Sequence, residues 1–159
     1  MNINIICIGK LKEKYWTDAI QEYSKRLNKY CSLTIRELKE EKAPDKPSEA
    51  EELAIKNAEG KNILKHLKKD NYVIALEIKG IELTSEGLAE KISGLGLLGK
   101  SDITFIIGGS IGLSEEVTSI GDFSLSFSKM TFPHQMMRVV LLEQIYRSFK
   151  IAKNEPYHK

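Results

Sequence analysis

A chain of 159 residues, 42% hydrophobic and 29% charged with a net charge of +2, has the composition of one globular domain around a single core. Its two cysteines are too few for a disulfide framework, and its three histidines are too scattered for a metal-ligand spacing. The longest apolar runs, such as residues 139–142, fall far short of a bilayer span, and residues 1–6 carry no charged leader, so a cytoplasmic protein with no membrane partner and no metal is expected.

Asn2–Ile8 reads as a strand ending at Gly9, with Cys7 a buried core thiol inside its apolar run. Residues 15–30 place Tyr15, Trp16, Ala19, Ile20, Tyr23 and Leu27 at helical spacing. Ser32–Leu38 alternates like a strand, and residues 39–48 form a charged connection with two prolines. Ser48 then caps a long helix that the pattern carries to about Lys69. Residues 72–77 form a short Val/Ile/Leu-rich strand, and Thr84 or Ser85 caps a helix running to about Ile92. Asp102–Ile107 and residues 123–128 are the remaining strands, and a helix over 133–151 closes the fold. Strands alternating with helices predict an α/β fold, a mostly parallel sheet covered on both faces, in one domain over 1–159.

Charge is unevenly laid out. Residues 1–36 carry seven basic against three acidic side chains, and residues 123–159 carry six against two. Residues 37–60 reverse this, with four against eight, and residues 61–122 carry seven against nine. Basic ends around an acidic middle suit a polyanionic partner if folding brings those ends together. An ordinary solvated surface accounts for the counts equally well.

Gly94-Leu95-Gly96-Leu97-Leu98-Gly99-Lys100-Ser101 matches the phosphate-loop pattern letter by letter. That mechanism needs a strand before the loop and a helix after it, and here the order is reversed, so a helix-ending turn is expected. Gly108-Gly109-Ser110-Ile111-Gly112 follows a strand directly, where open α/β sheets place ligand loops. It reads as a ligand loop or a tight turn. Leu76, also at a strand end, gains interest if it converges on the same edge.

The closing helix is apolar in most directions, from Met136 and Met137 through Leu141, Leu142, Ile145 and Phe149. Such a helix is buried, either centrally within one chain or with one face against a second subunit. Arg138 within it needs a carboxylate partner or a bound anion. Glu143 and Arg147, four apart, suit a helix-surface ion pair. By chain position alone Tyr157, His158 and Lys159 are a disordered end; functionally they suit an RNA clamp of ring, imidazole and cation.

These same residues carry a resemblance. Ile5-Ile6-Cys7-Ile8-Gly9-Lys10, Tyr15-Trp16, Ile107-Gly108-Gly109, the run 125–134, Arg138-Val139, Glu143-Gln144-Ile145-Tyr146-Arg147 and Pro156-Tyr157-His158 together resemble the ribosomal RNA large-subunit methyltransferase H family of the SPOUT class. The likeness is full length and its C-terminal block is specific. It implies a homodimer with a C-terminal trefoil knot, an exception to the usual absence of knots. It also implies S-adenosylmethionine as methyl donor and N3 of a pseudouridine in large-subunit rRNA as acceptor, on the assembled ribosome. By position, the family's donor contacts fall on Leu76, Gly108, Phe127, Ser128, Lys129, Met130, Thr131 and Phe132. Ile111 stands where a polar residue is expected, and Lys159 where an arginine is common.

The implied chemistry aligns a sulfonium methyl with a ring nitrogen and removes that nitrogen's proton. His158, with an ordinary imidazole pKa of about 6.5, is the expected base. Arg138 and Lys159 would hold phosphate or developing charge, and Tyr157 would stack. The rival readings are a non-catalytic ribosome-binding protein and a nucleotide-dependent enzyme using residues 94–101.

Overall fold

The computed structural model describes residues 1–158, so Lys159 and the RNA contact expected of it lie outside the described residues. Ten elements follow one another: β1 (Asn2–Ile8), α1 (Lys14–Leu27), β2 (Ser32–Leu38), α2 (Glu49–Leu64), β3 (Tyr72–Glu82), α3 (Ser85–Leu97), β4 (Asp102–Ile107), α4 (Glu115–Ile120), β5 (Phe123–Ser126) and α5 (His134–Ala152).

The strands form one parallel five-stranded sheet in the order β2-β1-β4-β3-β5. The three central strands are apolar on both faces, as a doubly covered parallel sheet requires: Ile3, Ile5, Ile103, Phe105 and Ile74 point into one cluster, Ile6, Ile8, Ile106 and Val73 into the other. The first cluster is closed by Leu27 of α1, Leu88 and Ile92 of α3, and Leu141, Leu142 and Ile145 of α5, which packs against both other helices. The second is closed by Ile63 of α2 and Val117 of α4. Cys7 is wholly buried, and burial pushes its thiol up to about 11.

Local chemistry explains where the boundaries fall. Ser48 and Glu51 make a reciprocal capping box that starts α2, as the sequence predicts. That helix ends at Leu64 rather than near Lys69. Its exit tightens into i→i+3 bonds (His66 N to Ile63 O, Leu67 N to Leu64 O), and the His66 ring bonds the Asn62 carbonyl. β3 runs five residues beyond the predicted Glu77, because Leu125 pairs first with Leu76 and again with Ile81 across an irregularity. Gly80 permits this: a Cβ there would stand 2.7 Å from the Leu125 carbonyl carbon.

Residues 94–101 carry the end of a helix, as expected, although α3 runs on to Leu97 rather than stopping near Ile92. Gly99 takes φ +75° and Lys100 N bonds Leu95 O, after which the chain enters β4.

Candidate active site

Sheet register fixes which loops meet. Ile107 pairs with Cys7 on one side and with Leu76 on the other, and Leu76 pairs with Leu125. The carboxyl ends of β1, β4 and β5 therefore lie side by side with β3 at Leu76, where its register breaks, neighbouring strands being about 5 Å apart, with Gly9, Gly108, Leu76 and Ser126 along one edge. Open α/β sheets place ligands at this edge.

Gly108 is buried, and Gly109 and Gly112 close the following turn through a β-bridge and the Gly112 N to Gly109 O bond. Gly112 takes φ +92°, and a Cβ on Gly108 would meet the Gly112 carbonyl carbon at 2.8 Å. The glycines thus draw this loop into a space no side chain could share. Beneath Gly109 lies the buried carboxylate of Glu59, which accepts from Glu41 N at 3.0 Å. Burial raises its pKa.

Beyond β5 the chain is wound by its own hydroxyls: Ser126 Oγ donates to Ser128 O, and Met130 N donates to Ser128 Oγ. This segment starts at the sheet's outer strand yet delivers Gln135 to β1's exit, where its Oε1 accepts from Lys12 N at 3.1 Å. Residues 127–133 must therefore pass over the ends of β3 and β4. Three strand spacings, about 14 Å, are within reach of seven residues, which span up to about 23 Å. The expected cofactor residues Leu76, Gly108 and Phe127 to Phe132 are brought to one edge by this crossing. Met130 and Phe132 are 71% and 40% exposed there, apolar side chains turned outward.

Arg138 is placed differently from the phosphate-binding role expected of it. It is 1% exposed, its Nη1 donates to Glu37 Oε1 at 2.8 Å, and its Nη2 donates to the carbonyls of Ile8 and Gly9 at 2.7 and 2.9 Å. Glu37 also accepts from Leu11 N. This arginine clamps the exit of β1 and is not open to an RNA phosphate; the carboxylate partner that its burial demanded is Glu37.

Tyr157 and His158 form a second constellation. Tyr157 donates to Glu143 Oε2 at 2.8 Å and packs edge-on against Tyr146 at 5.0 Å, with the Arg147 guanidinium 4.7 Å above its ring. Arg147 is paired with Glu143 at 2.6 Å and lies 3.2 Å from His158 Nδ1, and His158 Nε2 is 2.7 Å from Glu86 Oε1. An always-charged Arg147 can only donate, so Nδ1 accepts and Nε2 carries the proton towards Glu86. Both ring nitrogens are engaged, and Tyr157 and His158 are folded down rather than frayed. Among the described residues no hydrogen bond joins this group to the Arg138 clamp.

A cavity of about 370 Å³ opens at the opposite edge, lined by Lys68, Lys69, Asn71, Tyr72 and Lys100 among others. It adjoins the amino ends of β3 and β4, away from the loops that could grip a ligand with backbone groups. Among the described residues no three His, Cys, Asp or Glu side chains gather to hold a metal ion, and no helix is long and apolar enough to cross a membrane.

An edge of this kind, with a glycine turn and a crossing segment over a parallel sheet, defines a class. Residues 1–158 match the family model described as "Predicted SPOUT methyltransferase", and the chain belongs to the SPOUT methyltransferase family. More particularly, a Clostridium novyi protein named ribosomal RNA large subunit methyltransferase H is 62% identical over 159 residues, the whole of both chains. A Clostridium perfringens protein of the same name is 60% identical over the same span, and a Methanococcus maripaludis relative reaches 64%. Among solved structures, a probable methylase family protein from Haemophilus influenzae Rd KW20 shares the fold, with TM-score 0.52 and 17% identity over 96% of this chain and 66% of that one.

Proposed function

We propose that this protein transfers a methyl group from S-adenosylmethionine to N3 of a pseudouridine in a helix of large-subunit (23S) ribosomal RNA, acting as a homodimer on the assembled ribosome, with its C-terminal segment threaded as a trefoil knot. The convergence of Leu76, Gly108 and residues 127–132 on one sheet edge carries this reading. Family membership and the names of the full-length relatives support it.

Leu76, Gly108, Phe127, Ser128, Lys129, Met130, Thr131 and Phe132 would hold the donor. The site suits such a molecule: the space before Gly108 admits no Cβ, and the loop that crosses the edge is held in place by the Ser126 and Ser128 hydroxyls. A neutral purine needs main-chain donors and acceptors more than charges. When bound, the cofactor supplies an electrophilic methyl on a sulfonium. The protein's own task is alignment and removal of the acceptor's proton.

Outward-turned Met130 and Phe132 support a partner surface, shared between a second copy and the RNA. Tyr157, His158 and Lys159 of the second copy would complete the RNA side of the site. Tyr157 offers a stacking face and His158 its Nε2 proton as a hydrogen-bond donor, while Arg138 acts as a positioning residue through β1's exit.

The test is methyl transfer from labelled S-adenosylmethionine to large ribosomal subunits from cells lacking this gene, followed by nucleoside mass spectrometry. The expected product is one methylpseudouridine per subunit. A protein that binds the subunit but neither binds the donor nor adds a methyl would instead be a non-catalytic ribosome-binding protein.

A further inference from the structure

His134 is the first residue of α5, immediately after the segment that crosses the sheet edge. A Cβ on Gly9 would lie 3.4 Å from His134 Nε2, 3.4 Å from Glu40 Oε2 and 3.7 Å from Arg138 Nη2. Groups from α5 and from the chain beyond β2 thus converge on the space that glycine leaves at the end of β1. Cys7 pairs with Ile107, so Gly9 lies on the strand next to Gly108's and one residue further along the edge, neighbouring strands being about 5 Å apart.

The surroundings suit a proton acceptor. His134 is half-buried, and burial is the chief reason its pKa falls below the ordinary 6.5. Arg138, from its own helix, and Lys12, from the loop after β1, push the same way, and Glu40 opposes them. The amino end of α5 further disfavours a cation. His66 is tied to the Asn62 carbonyl, and His158, the base expected from the sequence, has its Nδ1 lone pair directed at Arg147 and its Nε2 proton at Glu86, so it can donate a hydrogen bond but has no free nitrogen to accept a proton.

We propose that His134 is the proton acceptor of the methyl transfer, with Glu40 facing it to stabilise the imidazolium that forms. This rests on the methyltransferase reading above. In the step, the acceptor nitrogen forms a bond to the methyl carbon, and the carbon–sulfur bond breaks with its electron pair staying on sulfur. The nitrogen's proton passes to the imidazole, which later releases it to solvent.

Imidazole NMR of the full-length protein should find His134 neutral at pH 7 and titrating below 6.5. His134→Ala should bind S-adenosylmethionine within threefold of wild type by calorimetry. Its transfer rate to large ribosomal subunits should fall about 100-fold or more. The wild-type rate should decline as pH drops through the His134 titration, and the variant should lose that limb. Glu40→Gln should move the limb to lower pH, because a charge favouring imidazolium is gone. His134→Gln keeps a polar group of similar reach and decides the matter if the alanine variant does not fold. Wild-type rates with an unchanged limb in either variant would overturn the assignment, as would a His134 titrating at or above 6.5. A wild-type protein that methylates no large subunit would instead bring down the substrate reading, and the NMR titration would still judge His134.

Discussion

Arg138→Ala is expected to cost about 3 kcal/mol of folding stability, near the lower end for breaking a buried ion pair. The lower end applies because Glu37 keeps about a third of its side chain exposed (32%) and can recover some hydration. The loss is nonetheless large against the 5–15 kcal/mol, roughly, that holds such a domain together. Arg138 is the largest fully buried side chain. Its removal leaves a cavity and strips the Ile8 and Gly9 carbonyls of their donor. Arg138→Lys should recover only part of the loss, since one ammonium cannot serve a carboxylate and two carbonyls in that fork geometry. Urea denaturation checks both. An unfolding midpoint equal to wild type, together with weakened binding to large ribosomal subunits, would return Arg138 to the phosphate-contact role and remove it from the β1 clamp.

Gly108→Ala should leave the fold standing and weaken S-adenosylmethionine binding by about 30-fold, the equivalent of roughly 2 kcal/mol of overpacking. The added methyl would stand 2.8 Å from the Gly112 carbonyl carbon and 3.0 Å from its oxygen, and neither can rotate away as a side chain would. The turn from Gly109 to Gly112 must open, displacing the backbone that faces the donor. Gly94→Ala is the matched control. It has nothing within 4 Å of its added methyl and lies in α3, so affinity should hold and stability should rise by up to about 1 kcal/mol. Calorimetry on the two variants separates a strained binding loop from a general effect of filling glycines. Equal affinities would mean the donor does not depend on this loop.

The parts of the fold legible in the sequence are those where one local rule dominates. The largely apolar runs of β1 and β4 suit a doubly covered sheet, and Ser48 announces the start of α2 as a cap. α4 escaped because six residues are too few for a periodic pattern, although Ser114 followed by Glu115 and Glu116 is a readable helix start. The extension of β3 through Ile78, Lys79 and Gly80 looks like a loop in composition; only β5's backbone pressing on Gly80 makes it strand.

The site divides in the same way. The Gly108 turn and its place after a strand are visible, and so is Arg138's need for a carboxylate or a bound anion. That the carboxylate is Glu37, 101 residues earlier, is a tertiary fact. The tail looked free because chain ends usually are, and its sockets on Glu143, Arg147 and Glu86 come from two different helices. In sequence His134 is only the last residue of the run 125–134. Its meaning comes from Gly9, Glu40 and Arg138, none within three residues of it.

The central claim is that the donor is gripped by main-chain atoms at the carboxyl edge of the sheet. An amide NMR titration of the isotope-labelled protein with S-adenosylmethionine tests it most directly. Saturable shifts should centre on Leu76, Gly108 and Met130. Shifts gathered instead around Lys68, Asn71 and Lys100, at the cavity on the opposite edge, would contradict the account.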